Sequence, residues 1–155
     1  MPNIEQRLQE GGIVLPEPIP PAGNYAPAVR WGQLLFVSGH VCRRDGKPVI
    51  GRLGDNVNHE QGYELARLTA LDLLSTVRKA VGTLDGVSQI LKLTGMVKST
   101  PTFVQQSAVL NGASDFLAVL WGEKGVHARS AFGVPELPLG AALEIDMICA
   151  IAEGY

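Results

Sequence analysis

The chain has little charge for its length. Of its 155 residues, 18% are charged, whereas a typical globular domain carries about 25%. Thirteen Lys and Arg residues face fifteen Asp and Glu residues, so the formal net charge is −2. Proteins that bind nucleic acid through bulk charge need clustered cations, and this balance argues against that class. Intrinsic disorder is also excluded, because it requires low hydrophobicity and 46% of this chain is apolar.

Cysteines, metal-ligand motifs and long apolar runs are also scarce. Cys42 and Cys149 lie far apart, a pattern typical of buried thiols in a reducing compartment. The spacing of His40, His59 and His127 does not indicate a metal site, and no nucleotide-binding loop is present. No stretch reaches the roughly 18 apolar residues of a membrane span, and the charged residues 1–10 do not resemble a signal peptide. We therefore expect a cytoplasmic protein without metal, cofactor or membrane contact.

Apolar spacing and turn residues predict a single α+β domain over residues 1–155 with the order ββαβαββ. Residues 1–22 form an N-terminal extension that starts with a short helical segment and continues as a proline-rich arm. Two helices are expected to pack on one face of a mixed sheet. The expected elements are helical turns over 4–10, an arm over 15–27, strands over 28–31 and 34–39, a loop over 43–56, a helix capped by Asn58 and ended by Gly82, a strand over 90–97, a helix capped at Thr102 and ended by Gly122, and strands over 127–134 and 141–151.

The last predicted strand is apolar on both of its faces. One set of alternating residues, from Ala141 to Ile151, is entirely apolar. The other set begins with Glu144 and Asp146 and then becomes apolar as well. Since two helices can cover only one face of the sheet, we expect another copy of the chain to cover the second face.

Arg129 is the only permanently cationic residue between Gly125 and Ala152. An arginine among small and apolar neighbours needs a carboxylate partner. That partner is either internal, as Glu144 or Asp146 on a neighbouring strand, or it belongs to a ligand. The two carboxylates themselves, two residues apart on one strand face, suit acid–base chemistry or form a solvated strand end.

Two further segments stand out at the ends of elements or against local propensity. Ser38-Gly39-His40 follows an apolar strand, but the elbow motif of a serine nucleophile is absent, so no Ser38–His40 pair is expected. Asn111-Gly112 interrupts a helix with two poor helix formers. We expect Gly112 to mark a tight helix–sheet contact and Asn111 to line a cleft or cap a neighbouring backbone.

Several of these segments together resemble one family. Ala128-Arg129-Ser130 through Val134, with Leu137-Pro138 and Glu144-Ile145, resembles the signature of the RidA/YjgF family, also called endoribonuclease L-PSP. Similar positions are Gly23-Asn24-Tyr25, Val37-Ser38-Gly39 and Asn111, and the chain length resembles the longer subfamily. The resemblance implies a chorismate-mutase-like fold and a homotrimer, in which three sheets form a barrel and ligand clefts lie between subunits.

The resemblance also implies an activity and a set of site residues. Members of the family hydrolyse reactive enamines and imines, such as 2-aminoacrylate, to 2-keto acids and ammonia without a cofactor. Arg129 would hold the substrate carboxylate, Glu144 would act on the attacking water, and Tyr25, Ser38 and Asn111 would contact the substrate. Ala131 replaces the archetype's cysteine, which argues against a thiol-dependent variant. The alternatives are a non-catalytic regulator that binds small carboxylates, an endoribonuclease that blocks translation, and a mutase-like isomerase.

Overall fold

The computed structural model describes residues 3–155 and places the core between one five-stranded sheet and two long helices. The sheet has the order β1-β2-β7-β5-β6, in which β5 and β6 run parallel and the other neighbours are antiparallel. The elements are α1 Ile4–Glu10, β1 Ala28–Trp31, β2 Leu34–Val41, β3 Arg43–Arg44, β4 Lys47–Pro48, α2 His59–Val81, β5 Val87–Lys98, α3 Gln106–Trp121, β6 Ala128–Val134 and β7 Leu143–Ile151. The α+β prediction and its element order are confirmed, and β3 and β4 form a small additional hairpin in the predicted loop.

Helix α2 begins and ends where the sequence predicts. The Asn58 side chain accepts a hydrogen bond from the Gln61 backbone N–H at 2.8 Å, and the Gln61 side chain accepts one from the Asn58 N–H at 2.9 Å. This reciprocal pair satisfies two amides at the helix start. Gly82 ends the helix with φ 95°, a left-handed conformation that glycine adopts without strain.

The start of α3 was predicted wrongly. The helix begins at Gln106, and no side chain at its N-terminal cap position bonds the backbone. The predicted cap at Thr102 fails because that residue lies inside a turn, which the Phe103 N–H closes by donating to the Thr100 carbonyl at 3.1 Å. The Gln106 side chain then fastens the turn to the helix by donating to the Phe103 carbonyl at 2.8 Å.

Strand β5 departs from simple alternation. Its pairing with β7 shifts between Ile90 and Lys92, so Ile90 and Leu93 are fully buried while Leu91 is only half-buried. Lys98, at the end of β5, is 8% exposed. Its ammonium is compensated by an ion pair with Glu136 at 2.8 Å and a hydrogen bond to the Gly140 carbonyl at 3.2 Å.

Gly112 makes a tight contact, but with a helix rather than with the sheet. A Cβ built at this position would lie 1.8 Å from the backbone oxygen of Tyr63 in α2. Any side chain would therefore push α2 and α3 apart. The predicted helix–sheet contact at Gly112 is wrong because the two long helices cross at this residue.

The N-terminal segment is fastened across α2. The Glu5 carboxylate of α1 accepts hydrogen bonds from Arg78 Nε at 3.1 Å, from Arg78 Nη2 at 2.6 Å and from the Leu84 N–H at 2.9 Å. Ser75 then donates to the Pro16 carbonyl at 2.6 Å, which holds the arm against the helix. Beyond this point the arm reaches the end of β2, where it forms one wall of a cavity.

The sheet face opposite the helices, which we term the open face, carries large apolar side chains. Residues of β7 alternate as predicted: Leu143, Ile145, Met147, Cys149 and Ile151 are buried beneath the helices, and the residues between them are half-buried. On the open face Trp31 is 79%, Phe36 43% and Phe132 44% exposed. Large exposed apolar side chains on one face are typical of a protein–protein contact.

Candidate functional site

Arg129 lies on the edge strand β6 and points toward α3. Its Nη1 donates to Asn111 Oδ1 at 2.9 Å and to Ser114 Oγ at 3.0 Å. Its Nη2 donates to Ser107 Oγ at 2.7 Å and to the Ser107 carbonyl at 3.2 Å. These residues stand at positions 107, 111 and 114, the spacing that places side chains on one helix face. The guanidinium thus donates to neutral oxygens, and no carboxylate of residues 3–155 forms an ion pair with it.

The interpretation that Arg129 forms an ion pair with Glu144 or Asp146 of its own chain is wrong. Arg129 pairs with Leu93, which pairs with Met147, so these residues lie on the helix side of the sheet. Glu144 pairs with Met96 and therefore lies on the open face, with β5 between it and β6. None of the ion pairs formed among residues 3–155 includes Arg129.

His127 extends the hydrogen-bond network of Arg129. Its Nδ1 lies 2.6 Å from the Gly125 carbonyl oxygen, and its Nε2 lies 2.9 Å from Ser114 Oγ. Burial, together with the nearby Arg129 cation, lowers the pKa of His127. We term Ser107, Asn111, Ser114, His127 and Arg129 the arginine cluster.

Tyr25, Ser38 and Glu144 meet in a separate cavity of about 370 Å³. One wall is the proline-rich arm, the floor is the end of β2, and the opposite lip is the turn that contains Leu139. We term it the glutamate cavity. Its lining residues are Ile19, Pro20, Pro21, Ala22, Gly23, Tyr25, Pro27, Ser38, Gly39, His40, Val41, Arg43, Pro138, Leu139 and Glu144.

The Glu144 carboxyl has a pKa above its usual range. Burial raises its pKa, and the charge of Asp146 raises it further. Gly39 provides the space for this group, since a Cβ there would lie 3.1 Å from the carboxyl carbon and Oε1. A carboxyl with a raised pKa in a cavity is a candidate general base.

The other polar groups of the glutamate cavity already form hydrogen bonds within the chain. Ser38 Oγ donates to the Ala26 carbonyl at 2.7 Å, which leaves the hydroxyl as an acceptor, and Tyr25 Oη accepts from the Ala22 N–H at 3.3 Å. His40 Nδ1 lies 2.7 Å from the backbone oxygen of Ser38, and its Nε2 lies 2.8 Å from Thr76 Oγ1. The imidazole thus contacts no serine hydroxyl, in agreement with the absence of a Ser38–His40 nucleophilic pair.

The structure therefore divides the predicted site residues into two groups. Arg129 and Asn111 lie together at the β6 edge, while Tyr25, Ser38 and Glu144 lie at the glutamate cavity. The sequence reasoning missed Ser107, Ser114 and His127, although the polar stripe at 107, 111 and 114 could have indicated the first two. It also missed Arg43 and Leu139, which no local motif marks as cavity residues.

Within residues 3–155, no group of three or more His, Cys, Asp or Glu side chains could hold a metal ion. The histidines contact different partners: His40 meets Thr76, His127 meets Ser114, and His59 lies 3.9 Å from Glu60. In the same part of the chain no helix has the length and apolar composition needed to cross a membrane.

The mixed sheet, the two helices on one face and the arginine at the β6 edge define an α+β protein of the chorismate-mutase-like class. Residues 5–151 match the family described as "YjgF/chorismate mutase-like, putative endoribonuclease", and the chain belongs to this YjgF/RidA family. Protein TCP17 of Trypanosoma cruzi is 42% identical over 148 residues, which cover 94% of this chain and 92% of that protein.

Two solved structures are similar over nearly the whole chain. Protein Atu1372 of Agrobacterium tumefaciens, whose function is described as unknown, has a TM-score of 0.86 and 42% identity, covering 96% of this chain and 93% of that one. A protein of Shewanella oneidensis described as a putative endoribonuclease has a TM-score of 0.92 and 30% identity, covering 97% and 100% of the respective chains.

Proposed function

We propose that the protein, acting in the cytoplasm, hydrolyses reactive enamines and imines of the 2-aminoacrylate type to 2-keto acids and ammonia. The observation that carries this proposal is Arg129, a cation held by neutral oxygens and without an ion-pair partner among residues 3–155. An arginine in this state binds a planar carboxylate through two parallel hydrogen bonds. Family membership supports the same role for it.

The reaction needs binding, orientation and one proton acceptor. After a proton adds to the terminal carbon of the enamine, the imine carbon is electrophilic. Glu144 would take a proton from water as the water oxygen bonds to that carbon, and would pass it to the substrate nitrogen. Ammonia then leaves as the keto group forms, and the hydroxyl proton returns to solvent in place of the one first added to carbon. Water is the only co-reactant, and no cofactor is required. Tyr25 and the acceptor lone pairs of Ser38 would orient the nitrogen end of the substrate.

We further propose that the two halves of the site meet between copies of the chain in a homotrimer. Arg129 belongs to the edge strand β6, whereas Glu144 belongs to the central strand β7 and the other cavity residues lie in the arm, at the end of β2 and in the turn at Leu139. A head-to-tail contact that closes into a ring brings one copy's arginine cluster to the next copy's glutamate cavity. The exposed apolar residues of the open face supply the remaining contact area.

The first experiment measures release of ammonia and pyruvate from 2-aminoacrylate generated in situ. We expect Arg129→Ala to lower the catalysed rate at least a hundredfold, because the substrate loses its carboxylate anchor. Arg30→Ala is the matched control, since Arg30 is an exposed arginine bonded to the Gly32 and Tyr155 carbonyls. Equal rates for wild type and Arg129→Ala would disprove the proposal.

The second experiment tests whether the site is shared. Arg129→Ala and Glu144→Gln chains are co-expressed with different tags, and the mixed oligomer is isolated. If the two residues act across a boundary, each mixed trimer has one interface of three that contains both native residues, and it regains about a third of wild-type activity. A site within one chain would remain inactive in every mixture.

The nearest alternative to the deaminase is a non-catalytic regulator that binds small carboxylates. Such a protein would bind the carboxylate through the Arg129 guanidinium and would not need Glu144. Calorimetry with pyruvate separates the two. Pyruvate binding that Glu144→Gln leaves intact, in a protein that does not accelerate 2-aminoacrylate hydrolysis, would favour the regulator.

The family description also supports an endoribonuclease. The net charge of −2 and the aromatic content of 6% provide no basic, aromatic-rich surface of the kind that binds single-stranded RNA. We therefore expect no cleavage of a defined RNA by the purified oligomer. Cleavage that is lost in Arg129→Ala would favour the nuclease.

A further inference from the structure

Only one assignment of donors and acceptors is consistent with the hydrogen bonds around His127. The Gly125 carbonyl can only accept, so the hydrogen between them must be on His127 Nδ1. In the neutral ring, Nε2 then carries a lone pair and accepts from the Ser114 hydroxyl. The oxygen of Ser114 is left to accept from Arg129 Nη1, which can only donate.

The same network leaves one edge of the guanidinium for a ligand. Arg129 Nη1 is held by two side chains, Asn111 and Ser114, whereas Nη2 is held by Ser107 alone. No hydrogen bond from Nε occurs among the described residues. Elsewhere in this chain, Arg67 binds Glu64 and Arg78 binds Glu5, and each arginine donates from both Nε and Nη2. The same edge of Arg129 is therefore suited to a carboxylate.

We propose that His127 and Ser114 are positioning residues that fix the Arg129 guanidinium so that its Nε/Nη2 edge faces a carboxylate. This inference rests on the proposed function, because it assumes that Arg129 is the carboxylate anchor. His127 touches no substrate and acts through Ser114. When a carboxylate binds, it takes Nε–H and replaces a Ser107 contact at Nη2, while Nη1 stays fixed.

Protonation of His127 opposes this arrangement. It turns Nε2 from an acceptor into a donor, so that the Ser114 oxygen receives two donors and a second cation stands one hydroxyl away from Arg129. The other charged groups nearby have little influence on the ring: Asp115 accepts a hydrogen bond from Tyr63, Glu123 and Lys124 are exposed, and Lys92 lies on the open face. Carboxylate affinity should therefore fall as the pH decreases through the pKa of His127.

The test measures pyruvate binding by calorimetry in His127→Leu, His127→Gln and Ser114→Ala. We expect about tenfold weaker binding for His127→Leu and Ser114→Ala, because Nη1 loses its fixed partner. His127→Gln keeps an acceptor for the Ser114 hydroxyl and should recover most of the affinity. His59→Leu, at an exposed histidine outside both groups, is the matched control.

The pH profile supplies a readout that a purely structural role would not change. In the wild type, pyruvate affinity should decrease on the acid side, and in His127→Gln the part of this decrease due to imidazole should disappear. Pyruvate should also lower the pKa of His127, followed by NMR of the ring, because a ligand that binds the neutral imidazole form more tightly must favour that form.

The outcomes separate this inference from the proposed function. If Arg129→Ala abolishes pyruvate binding while His127→Leu and Ser114→Ala bind like the wild type, the positioning role is wrong and the anchor remains. If the wild type does not bind pyruvate at all, both are wrong. Thermal unfolding of each variant identifies any that fail to fold. If His127→Leu or Ser114→Ala fails to fold, the pH dependence of pyruvate affinity in His127→Gln, compared with the wild type, tests the positioning role.

Discussion

Leu139 shows at the scale of one residue how the glutamate cavity is shaped. It has φ 63° and ψ 10°, a left-handed conformation that costs a non-glycine residue about 1 kcal/mol, and its side chain is 58% exposed. An exposed leucine in a strained backbone gains little from packing within its own chain. Its place at the cavity lip suggests that the strain is retained for what the side chain contacts there.

We expect Leu139→Gly to raise the free energy of unfolding by about 0.5 kcal/mol, because relief of the strained φ exceeds the added entropy of the unfolded chain. Urea denaturation would measure it. Leu139→Ala retains the strain and should not be stabilised, so equal gains for both variants would contradict a backbone cause.

Glu144 should determine the acid limb of the activity. Since burial and Asp146 raise the pKa of Glu144 above its usual value of 4.5, the unprotonated base is lost as the pH falls through that raised pKa. Asp146→Asn removes the like charge and should move the acid limb of kcat to lower pH. An acid limb that does not move in Asp146→Asn would show that another group determines it.

At the scale of elements, helix α2 carries a carboxyl that destabilises the fold. Asp72 is 7% exposed, and burial raises its pKa to about 6 against a partly opposing attraction from Arg43. Because the folded-state pKa lies above the unfolded value, the cost is present in full above pH 6 and disappears as the pH decreases toward 4.

We therefore expect Asp72→Asn to raise the free energy of unfolding by about 2 kcal/mol at pH 8 and to leave it nearly unchanged at pH 4. Chemical denaturation at the two pH values would measure the difference. An equal effect at both would indicate that packing, rather than charge, is responsible.

The elements also show what the sequence could predict. The Asn58–Gln61 box and Gly82 are local signals, so the bounds of α2 follow from the sequence. The bulge beside Leu91 and the turn at Thr102 depend on tertiary contacts, and both were missed. Arg129 and Asn111 were predicted as site residues, but their separation from Glu144 depends on strand order, which no local pattern contains.

At the scale of the whole molecule, the open face and the divided site lead to the same expectation. Light scattering coupled to size exclusion should give a mass of about three chains. Phe36→Asp, on the open face, should dissociate the oligomer, because a charge there would be buried without a partner. An unchanged mass for this variant, or a monomeric wild type, would contradict the arrangement.

The separation of the arginine cluster from the glutamate cavity within one chain also affects how the protein must be assayed. If each site needs two chains, the rate per milligram is not a constant of the preparation. It should fall on dilution once the protein concentration drops below the dissociation constant of the oligomer, and the rate should decline with time after concentrated enzyme is diluted into the assay. Reaction order in protein would then rise above one in the dilute range.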